Sequence, residues 1–380
     1  MKGRKWFLFG VLATVATLAL ALAGWGSAKT ERSAAPVAKS GGELTKVTLQ
    51  LKWVTQAQFA GFYAAREKGY YRQRGLDVNL KVGGPDITPE QVVASGQAEF
   101  GIDWLPSLLA TRDKGGDLVN IAQVYTRSGM TEVTHKDSGI TSIKKLKGKK
   151  VGVWCCGNEF ELFAALVKNG MDPKRSSDVR IVNQPFDMSL FLSRQVDAAS
   201  AMTYNELAQV LEAENPKTGK LYTLKDLNVI KMENAGTGML EDGVFVRGDW
   251  IAESGNQDVA RRFLEASFRG WAFCRDNYRA CVDIVLENGP VLPRGHQTWQ
   301  MNEVNALIWP ARQGIGVMNP AAFRRTARIA QQFKVIGKAP SGAYRTDLAK
   351  AAVAALRRQG VNVVGANWKR ANVKLTAGGK

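Results

Sequence analysis

The chain has 380 residues, 45% hydrophobic and 23% charged, a mixture that is typical of a globular protein of about two domains and not of an intrinsically disordered chain. The formal net charge is +18, and residues 345–380 hold eight basic residues against one acid, so much of the excess lies in this tail. We find no aromatic interleaving or reader motif beside these cations, so nucleic acid is not predicted as a partner.

The N-terminus carries an export pattern. Lys2, Arg4 and Lys5 precede an apolar run over residues 6–23 that is followed by small residues, which predicts a cleavable signal peptide over residues 1–28. An uncleaved membrane anchor is the alternative, because the run approaches the length of a spanning helix. A lipid anchor is not predicted, since Trp25 stands where a lipoprotein needs cysteine. Residues 29–44 predict a flexible leader, and we expect the mature protein in the periplasm.

Strand and helix patterns then alternate through a first unit. In chain order they are strand 47–51, a helix ending at Gly69, strand 77–82, a helix opening at Thr88-Pro89, strand 98–103, helix 106–113 and strand 118–125. Thr88 offers a capping hydroxyl and Pro89 suits the first helical position. This alternation predicts an α/β layer with a largely parallel sheet.

A second unit opens with a strand, a turn and a helix over residues 150–168. Val151 and Val153 are β-formers, and Gly157-Asn158 is typical of a turn. Such a corner lies at the carboxyl end of a strand, where open α/β sheets bind small molecules. Later elements are strand 179–182, a helix near 189–193, strand 198–202, a strand over 239–246 that crosses back, and mostly helix over 257–358.

These units predict an α/β protein of two lobes with a ligand cleft between them. The predicted boundaries are lobe 1 over residues 45–137 plus 248–344, lobe 2 over residues 138–247, and a basic C-terminal helix and tail over residues 345–380.

Four cysteines are too few for a disulfide scaffold. Cys274 and Cys281 fall in one predicted helix, about 10 Å of rise apart, so they pair only if that helix breaks between them. Four free thiols are therefore expected, with a disulfide between one cysteine of the 155–156 pair and one of Cys274 and Cys281 as the alternative. A free Cys155 beside Trp154 and a helix N-terminus could be a reactive thiol. The two histidines and the scattered cysteines have no metal-ligand spacing, so neither a metal nor a cofactor is predicted.

Aromatic and polar side chains recur together where strands end or helices open. Flat aromatic faces with a few amides and carboxylates favour a pocket for a planar, nitrogen-containing ring, although core packing is the commoner role of any single tryptophan. The candidate ligand-binding residues are Trp53, Gln56, Phe59, Trp104, Trp154, Gly157, Asn158, Glu159, Tyr204, Asn205, Glu206 and Asp242.

Several motifs resemble one protein family in order along the chain. They are the stretches at 51–65, 68–71, 75–78, 95–101, 146–152 and 158–160. Together they resemble the NMT1/THI5-like solute-binding proteins of ABC importers. The resemblance implies a type II periplasmic-binding-protein fold, a small-molecule ligand, a membrane permease as partner and a monomeric subunit.

The resemblance leaves the ligand open. A thiamine pyrimidine precursor such as hydroxymethylpyrimidine or formylaminopyrimidine is the first hypothesis, and riboflavin, a sulfonate such as taurine, or nitrate are the alternatives within the family. The motif corners carry no Arg or Lys pair, which weighs against small anions. A surface-binding protein acting through residues 345–380 is an alternative of another class.

The family also includes a pyrimidine synthase that uses a pyridoxal-bound lysine, a histidine and a cysteine-rich run. At the corresponding places this chain has Asp103, Ser107 and the stretch 238–243 without cysteine. Since Asp103 offers no amine for a Schiff base, the sequence predicts a binding protein and not an enzyme.

Overall fold

The computed structural model describes residues 43–155 and 157–380. The predicted signal peptide and nearly all of the predicted leader lie outside the described residues. Within those ranges no helix is long and apolar enough to cross a membrane.

The first part of the chain forms strands and short helices in alternation. These are β1 (Thr45–Gln50), α1 (Ala60–Glu67), β2 (Leu76–Lys81), α2 (Pro89–Ala94), β3 (Phe100–Trp104), α3 (Leu105–Asp113), β4 (Leu118–Gln123) and β5 (Met130–His135). β2 alternates buried and exposed residues, whereas all five residues of β3 are buried, as expected of an edge and a central strand respectively.

The middle of the chain continues the alternation. It forms β6 (Lys150–Val153), α4 (Phe160–Lys168), β7 (Arg180–Asn183), α5 (Ser189–Leu192), β8 (Ala198–Met202), α6 (Glu206–Leu211), β9 (Glu214–Asn215), β10 (Lys220–Leu221), β11 (Leu227–Lys231), α7 (Met232–Ala235) and β12 (Asp242–Arg247). The last third is helical, with α8 (Gly248–Ala252), α9 (Ser254–Asp276), α10 (Tyr278–Asn288), α11 (Arg294–Ile308), α12 (Pro320–Gln332) and α13 (Asp347–Arg358).

Two five-stranded sheets organise these elements. The first has the order β2-β1-β3-β12-β4 and the second β11-β5-β8-β6-β7. Each combines parallel neighbours with antiparallel strands: β1 runs parallel to β2 and β3, and β6 runs parallel to β7 and β8, whereas β12 and β5 run antiparallel to their partners. The predicted α/β fold of the type II periplasmic-binding-protein class is confirmed.

The chain passes between the sheets twice. Residues 124–129 lead from β4 of the first sheet to β5 of the second, and residues 232–241 lead from β11 back to β12. The returning strand predicted over 239–246 thus corresponds to β12. The division into lobes by residue ranges stays a prediction.

Helices α1 and α9 cross at unusually close range beneath the first sheet. Gly61 on α1 faces Trp271, and a Cβ added to Gly61 would overlap the indole ring. A Cβ added to Gly270 would overlap the carbonyl oxygen of Gly61 and lie 2.9 Å from the backbone nitrogen of Ala65. Two glycines therefore permit a backbone approach that no larger residue would allow.

The expectation of free thiols is wrong. The helix that was predicted to carry both cysteines ends at Asp276, and Asn277 leaves helical geometry (φ −133°, ψ 51°) before α10 begins. This break brings the Cα atoms of Cys274 and Cys281 to 5.1 Å, and the two residues form a disulfide. None of the cysteines among the described residues is free.

The basic C-terminal segment is integrated into the fold. Helix α13 packs on α9 and buries Leu348, Ala352 and Leu356 in the main core. The basic residues of α13 face solvent. Beyond α13 the backbone nitrogen of Ala371 donates to Asn302 Oδ1 (2.8 Å) and that of Gly378 to the carbonyl of Glu212 (3.1 Å). The tail thus runs along α11 to the end of α6.

Candidate functional site

A cavity lies where the carboxyl ends of strands from both sheets meet. Trp53 follows β1, Trp104 ends β3, Trp154 follows β6 and Tyr204 follows β8. Parallel strands that end at one edge of a sheet bring such residues together, and this edge is the usual ligand site of open α/β sheets. The water-accessible space inside the cavity is about 40 Å³, and the cavity opens to solvent. Its lining is Lys52, Trp53, Gln56, Gln58, Trp104, Trp154, Asn158, Phe186, Met202, Tyr204, Asn205 and Glu206.

Eight of the twelve predicted site residues line this cavity: Trp53, Gln56, Trp104, Trp154, Asn158, Tyr204, Asn205 and Glu206. Sequence reasoning did not select Lys52, Gln58, Phe186 or Met202, which complete the lining. The sequence carries a signal for Phe186, because this aromatic residue closely follows a predicted strand, as Trp53 and Trp154 do.

The other four predicted residues lie outside the lining. Phe59 is fully buried in the hydrophobic core. Gly157 has a positive φ of 107°, a conformation that favours glycine, and its backbone nitrogen donates to Glu159 Oε2 at 2.9 Å. Glu159 thus supports the turn before α4. Asp242 is buried behind the cavity, where it accepts a hydrogen bond from Gln58 Nε2 (2.9 Å).

Aromatic rings from the two sheets approach each other at the cavity. The ring centroids of Trp53, which follows β1, and Phe186, which follows β7, are 4.5 Å apart with an interplanar angle of 57°. Trp154 is almost fully buried, and its indole Nε1 donates to the carbonyl of Pro185 (3.2 Å). That hydrogen bond fixes the plane of the ring beside the cavity.

Lys52 is the one cation among the residues that line the cavity, and Asp103 neutralises it. The two side chains form a buried ion pair, and Lys52 Nζ lies 5.0 Å from the centroid of the Trp104 ring. Burial lowers the pKa of Lys52, but the charge and hydrogen bond of Asp103 outweigh it, so that the pKa is raised above its usual value. Burial, with the nearby charge of Asp103, holds the pKa of Glu90 well above its usual range.

A chain of amides connects the cavity to Asp242. Gln56 Nε2 donates to Gln58 Oε1 (2.6 Å), and Gln58 Nε2 donates to Asp242 Oδ2 (2.9 Å). Burial raises the pKa of Asp242 to about 7. Because Asp242 accepts from Gln58 and Gln58 accepts from Gln56, both amide groups have a fixed orientation. Gln56 is therefore held in one orientation in the cavity lining.

A second polar chain begins at Glu206. Its Oε2 accepts from the backbone nitrogen of Met202 (3.0 Å) and its Oε1 from Asn205 Nδ2 (2.6 Å). Asn205 Oδ1 faces His296 Nε2 at 2.9 Å, and His296 Nδ1 lies 2.9 Å from a carboxylate oxygen of Glu212. Burial raises the pKa of Glu206 to about 7, so near neutral pH this carboxyl can offer either a donor or an acceptor.

The polar residues at the corner between β3 and α3 are engaged with other groups of the protein. Ser107 Oγ lies 3.5 Å from the carbonyl oxygen of Gly157, and Asp103 is paired with Lys52. The amine of Lys52 does reach the cavity, but a paired ammonium with a raised pKa is a poor nucleophile. No group of three or more His, Cys, Asp or Glu that could hold a metal occurs in the described ranges.

Two mixed sheets with an aromatic and polar cavity at their strand ends define a two-lobed small-molecule-binding protein of the periplasmic-binding-protein fold. The model of the NMT1/THI5 like family matches residues 56–279. The chain belongs to this family.

Relatives and solved structures agree with this placement. The chain is 24% identical over 306 residues to the riboflavin-binding protein RibY of Chloroflexus aurantiacus, covering 77% of this chain and 82% of the relative. It is 24% identical over 249 residues to the formylaminopyrimidine-binding protein of Halalkalibacterium halodurans, covering 64% and 71% respectively. A shorter match, 30% identical over 108 residues, covers 28% of this chain and 32% of the 4-amino-5-hydroxymethyl-2-methylpyrimidine phosphate synthase of Aspergillus parasiticus.

The fold is shared with the alkanesulfonate-binding protein SsuA from Xanthomonas axonopodis pv. citri. The TM-score is 0.57 at 15% sequence identity, covering 82% of this chain and 98% of that chain. At this identity the likeness concerns the fold alone.

Proposed function

We propose that this protein is the extracytoplasmic solute-binding subunit of an ABC importer, and that it captures a planar nitrogen heterocycle between its two lobes. A thiamine pyrimidine precursor such as hydroxymethylpyrimidine or formylaminopyrimidine is the proposed ligand. The observation that carries the proposal is the convergence of Trp53, Trp104, Trp154 and Tyr204 with amide and carboxyl groups on one cavity.

The polar groups of the lining fit such a ring. Glu206 can accept from an exocyclic amine or, when protonated, donate to a ring nitrogen, while the amides of Gln56, Asn158 and Asn205 supply further donors and acceptors. Sulfonate, taurine or nitrate is disfavoured because Lys52, the cation of the lining, is already neutralised by Asp103.

Riboflavin is the second candidate ligand, and an adjoining space favours it. A neighbouring cavity with a water-accessible volume of about 620 Å³ shares Trp53, Gln56, Phe186 and Asn205 with the first. A ligand larger than one ring could extend into it. Similarity to a riboflavin-binding relative over most of both chains supports the same candidate.

A pyrimidine synthase activity is the alternative of another class. Its chemistry requires an amine free to form a Schiff base, whereas Lys52 is held by Asp103. Incubation with pyridoxal phosphate followed by borohydride is expected to leave the protein unlabelled at Lys52. Labelling there would favour the enzyme.

Calorimetric titration of the purified protein decides between the ligands. Hydroxymethylpyrimidine, formylaminopyrimidine, riboflavin and taurine would each be tested. Tight binding of either pyrimidine supports the proposal. Tight binding of riboflavin would make riboflavin the ligand of the same proposed site. Binding of taurine with no response to the heterocycles would contradict it.

Replacing Trp154 by alanine is expected to weaken binding of the heterocycle about 5- to 150-fold. The loss corresponds to the ~1–3 kcal/mol that one aromatic side chain contributes by stacking on a base-like ring. Trp368→Ala is the matched control, because Trp368 lies in the C-terminal segment and does not line the cavity. Both affinities would be measured by calorimetry below the unfolding temperature of each variant. An equal loss of affinity in both variants would mean that Trp154 does not contact the ligand.

The predicted signal peptide, the periplasmic location, the permease partner and the monomeric state belong to this proposal. An importer subunit of this kind meets its ligand outside the cytoplasmic membrane and delivers it to a permease by closing its lobes.

A further inference from the structure

One end of the second sheet carries an unusual concentration of positive charge. The first residues of β6 and β7 pair there as Lys150 and Arg180, and the last residue of β5, His135, pairs with the first of β11, Leu227. The surrounding cations, which we call the basic pole, are Lys136, Lys144, Lys145, Lys147, Lys149, Lys150, Lys174, Arg175, Arg180, Arg194, Lys217 and Lys225. All are exposed except the half-buried Lys149.

Contacts between the segments bring these cations onto one surface. The backbone nitrogen of Gly148 donates to the carbonyl of Asp178 (2.7 Å), which joins the lysine-rich segment before β6 to the loop before β7. Lys145 Nζ donates to the carbonyl of Gly139 (2.8 Å), and Lys217 and Arg194 both pair with Asp137. Five strands at about 4.8 Å spacing make this end of the sheet roughly 20 Å wide.

Few acids oppose this charge. The acidic residues in the segments that carry these cations are Asp137, Asp172, Asp178, Asp197, Glu214 and Asp226. Asp137 is shared by Lys217 and Arg194, and Asp178 pairs with Arg175 at 3.7 Å. The five lysines over residues 144–150 form no ion pair with any residue that the structure describes. Their charge is therefore available to a partner.

An exposed apolar side chain stands among the cations. Leu224 is 56% exposed, in the turn before β11, and is followed directly by Lys225. This turn contacts the turn that holds Lys136. Lysines beside an exposed apolar side chain suit the headgroup region of a bilayer, where basic groups meet anionic lipid and apolar groups leave water.

The basic pole faces away from the ligand cavity. Trp154 and Phe186 follow the carboxyl ends of β6 and β7, whereas Lys150 and Arg180 stand at their amino ends. A four-residue strand separates the two ends by roughly 13 Å of backbone. A flat surface bound at the pole would thus leave the cavity open to solution.

We propose that the basic pole docks the protein on a membrane surface of anionic phospholipid, with Leu224 entering the headgroup layer. Nine of the twelve cations are lysines, which act as point charges on a diffuse layer of phosphates and do not form the planar forks that arginine uses for specific recognition. Docking would hold the protein near a membrane without occupying the cleft.

The test is cosedimentation of the purified protein with vesicles. Vesicles of equal parts phosphatidylglycerol and phosphatidylcholine are expected to bind the protein at low salt, and the binding should be lost with pure phosphatidylcholine or at about 0.5 M salt. The variant Lys144→Gln/Lys145→Gln/Lys147→Gln is expected to bind at least tenfold more weakly. Leu224→Ser should weaken binding a few-fold, and an unchanged value would overturn the part assigned to Leu224.

Arg324→Gln/Arg328→Gln/Arg358→Gln is the matched control. It removes the same charge from exposed positions on α12 and α13 and is expected to bind vesicles as the unaltered protein does. Equal weakening in both triple variants would attribute binding to net charge alone and overturn the proposal. The absence of binding to the anionic vesicles would also overturn it. If the protein bound polyglutamate but did not sediment with the vesicles, the partner would be an acidic protein and not a membrane.

Discussion

Replacing Gly270 by alanine is expected to lower the free energy of unfolding by about 3 kcal/mol. The added methyl group would overlap the carbonyl oxygen of Gly61 and press on the backbone of Ala65. Both obstacles are backbone atoms of α1, so no side-chain rotation relieves the overlap. Helices α1 and α9 would have to separate, which also disturbs the packing of Trp271 against Phe62.

The control lies in the same helix. Gly255 is near the start of α9, and a Cβ placed there meets nothing within 4 Å. Gly255→Ala should therefore leave stability unchanged or raise it by up to about 1 kcal/mol, since alanine is the better helix former. Urea denaturation of both variants measures the difference. Similar midpoints would show that the helices do not depend on this close approach.

Replacing Lys52 by methionine is expected to destabilise the protein by about 3–5 kcal/mol at neutral pH. The substitution preserves much of the apolar stem but removes the cation that balances Asp103. Glu90 and Asp242 also interact electrostatically with Lys52, and both have raised pKa values because they are buried. Without the ammonium, the remaining carboxylates repel one another in a poorly solvated site.

The loss should depend on pH in a definite direction. The pKa of such a buried acid is higher in the folded state than in the unfolded state, where it is about 4. The stability linked to this acid is fully present below about pH 4 and is lost as the pH rises through the pKa of the folded state. Asp242 titrates at about 7 in the intact site, and removal of Lys52 raises its pKa further. The difference between Lys52→Met and the unaltered protein should be small near pH 5 and grow toward pH 8.

Urea denaturation of ligand-free protein at several pH values checks this. The double variant Lys52→Met/Asp103→Asn removes both charges of the pair and should recover a large part of the stability at pH 8. A pH-independent loss, or no recovery in the double variant, would mean that Lys52 acts through packing alone.

Much of the site was predictable because its residues follow strands. The patterns before Trp53, Trp104, Trp154 and Tyr204 each predict a strand, and parallel strands place their carboxyl ends together. That rule requires no knowledge of side-chain contacts. The α/β alternation and the family motifs predicted the fold for the same reason, since both depend on local patterns.

The rest depends on contacts between distant parts of the chain. Lys52 pairs with Asp103, which is 51 residues away, and Phe186 meets Trp53 only when the two sheets face each other. The break at Asn277 was missed because both flanking segments have helical patterns, and the position of one irregular residue decided whether the cysteines could pair. Such outcomes are set by tertiary packing, which a local pattern does not contain.

The clustering of indole rings at the cavity gives the protein an intrinsic optical reporter. Trp53, Trp104 and Trp154, three of the ten tryptophans in the chain, line the same small space. An aromatic ligand that stacks on them would quench or shift their emission, whereas the tryptophans elsewhere supply a constant background. Occupancy of the cleft can therefore be followed in solution by tryptophan fluorescence, without a dye.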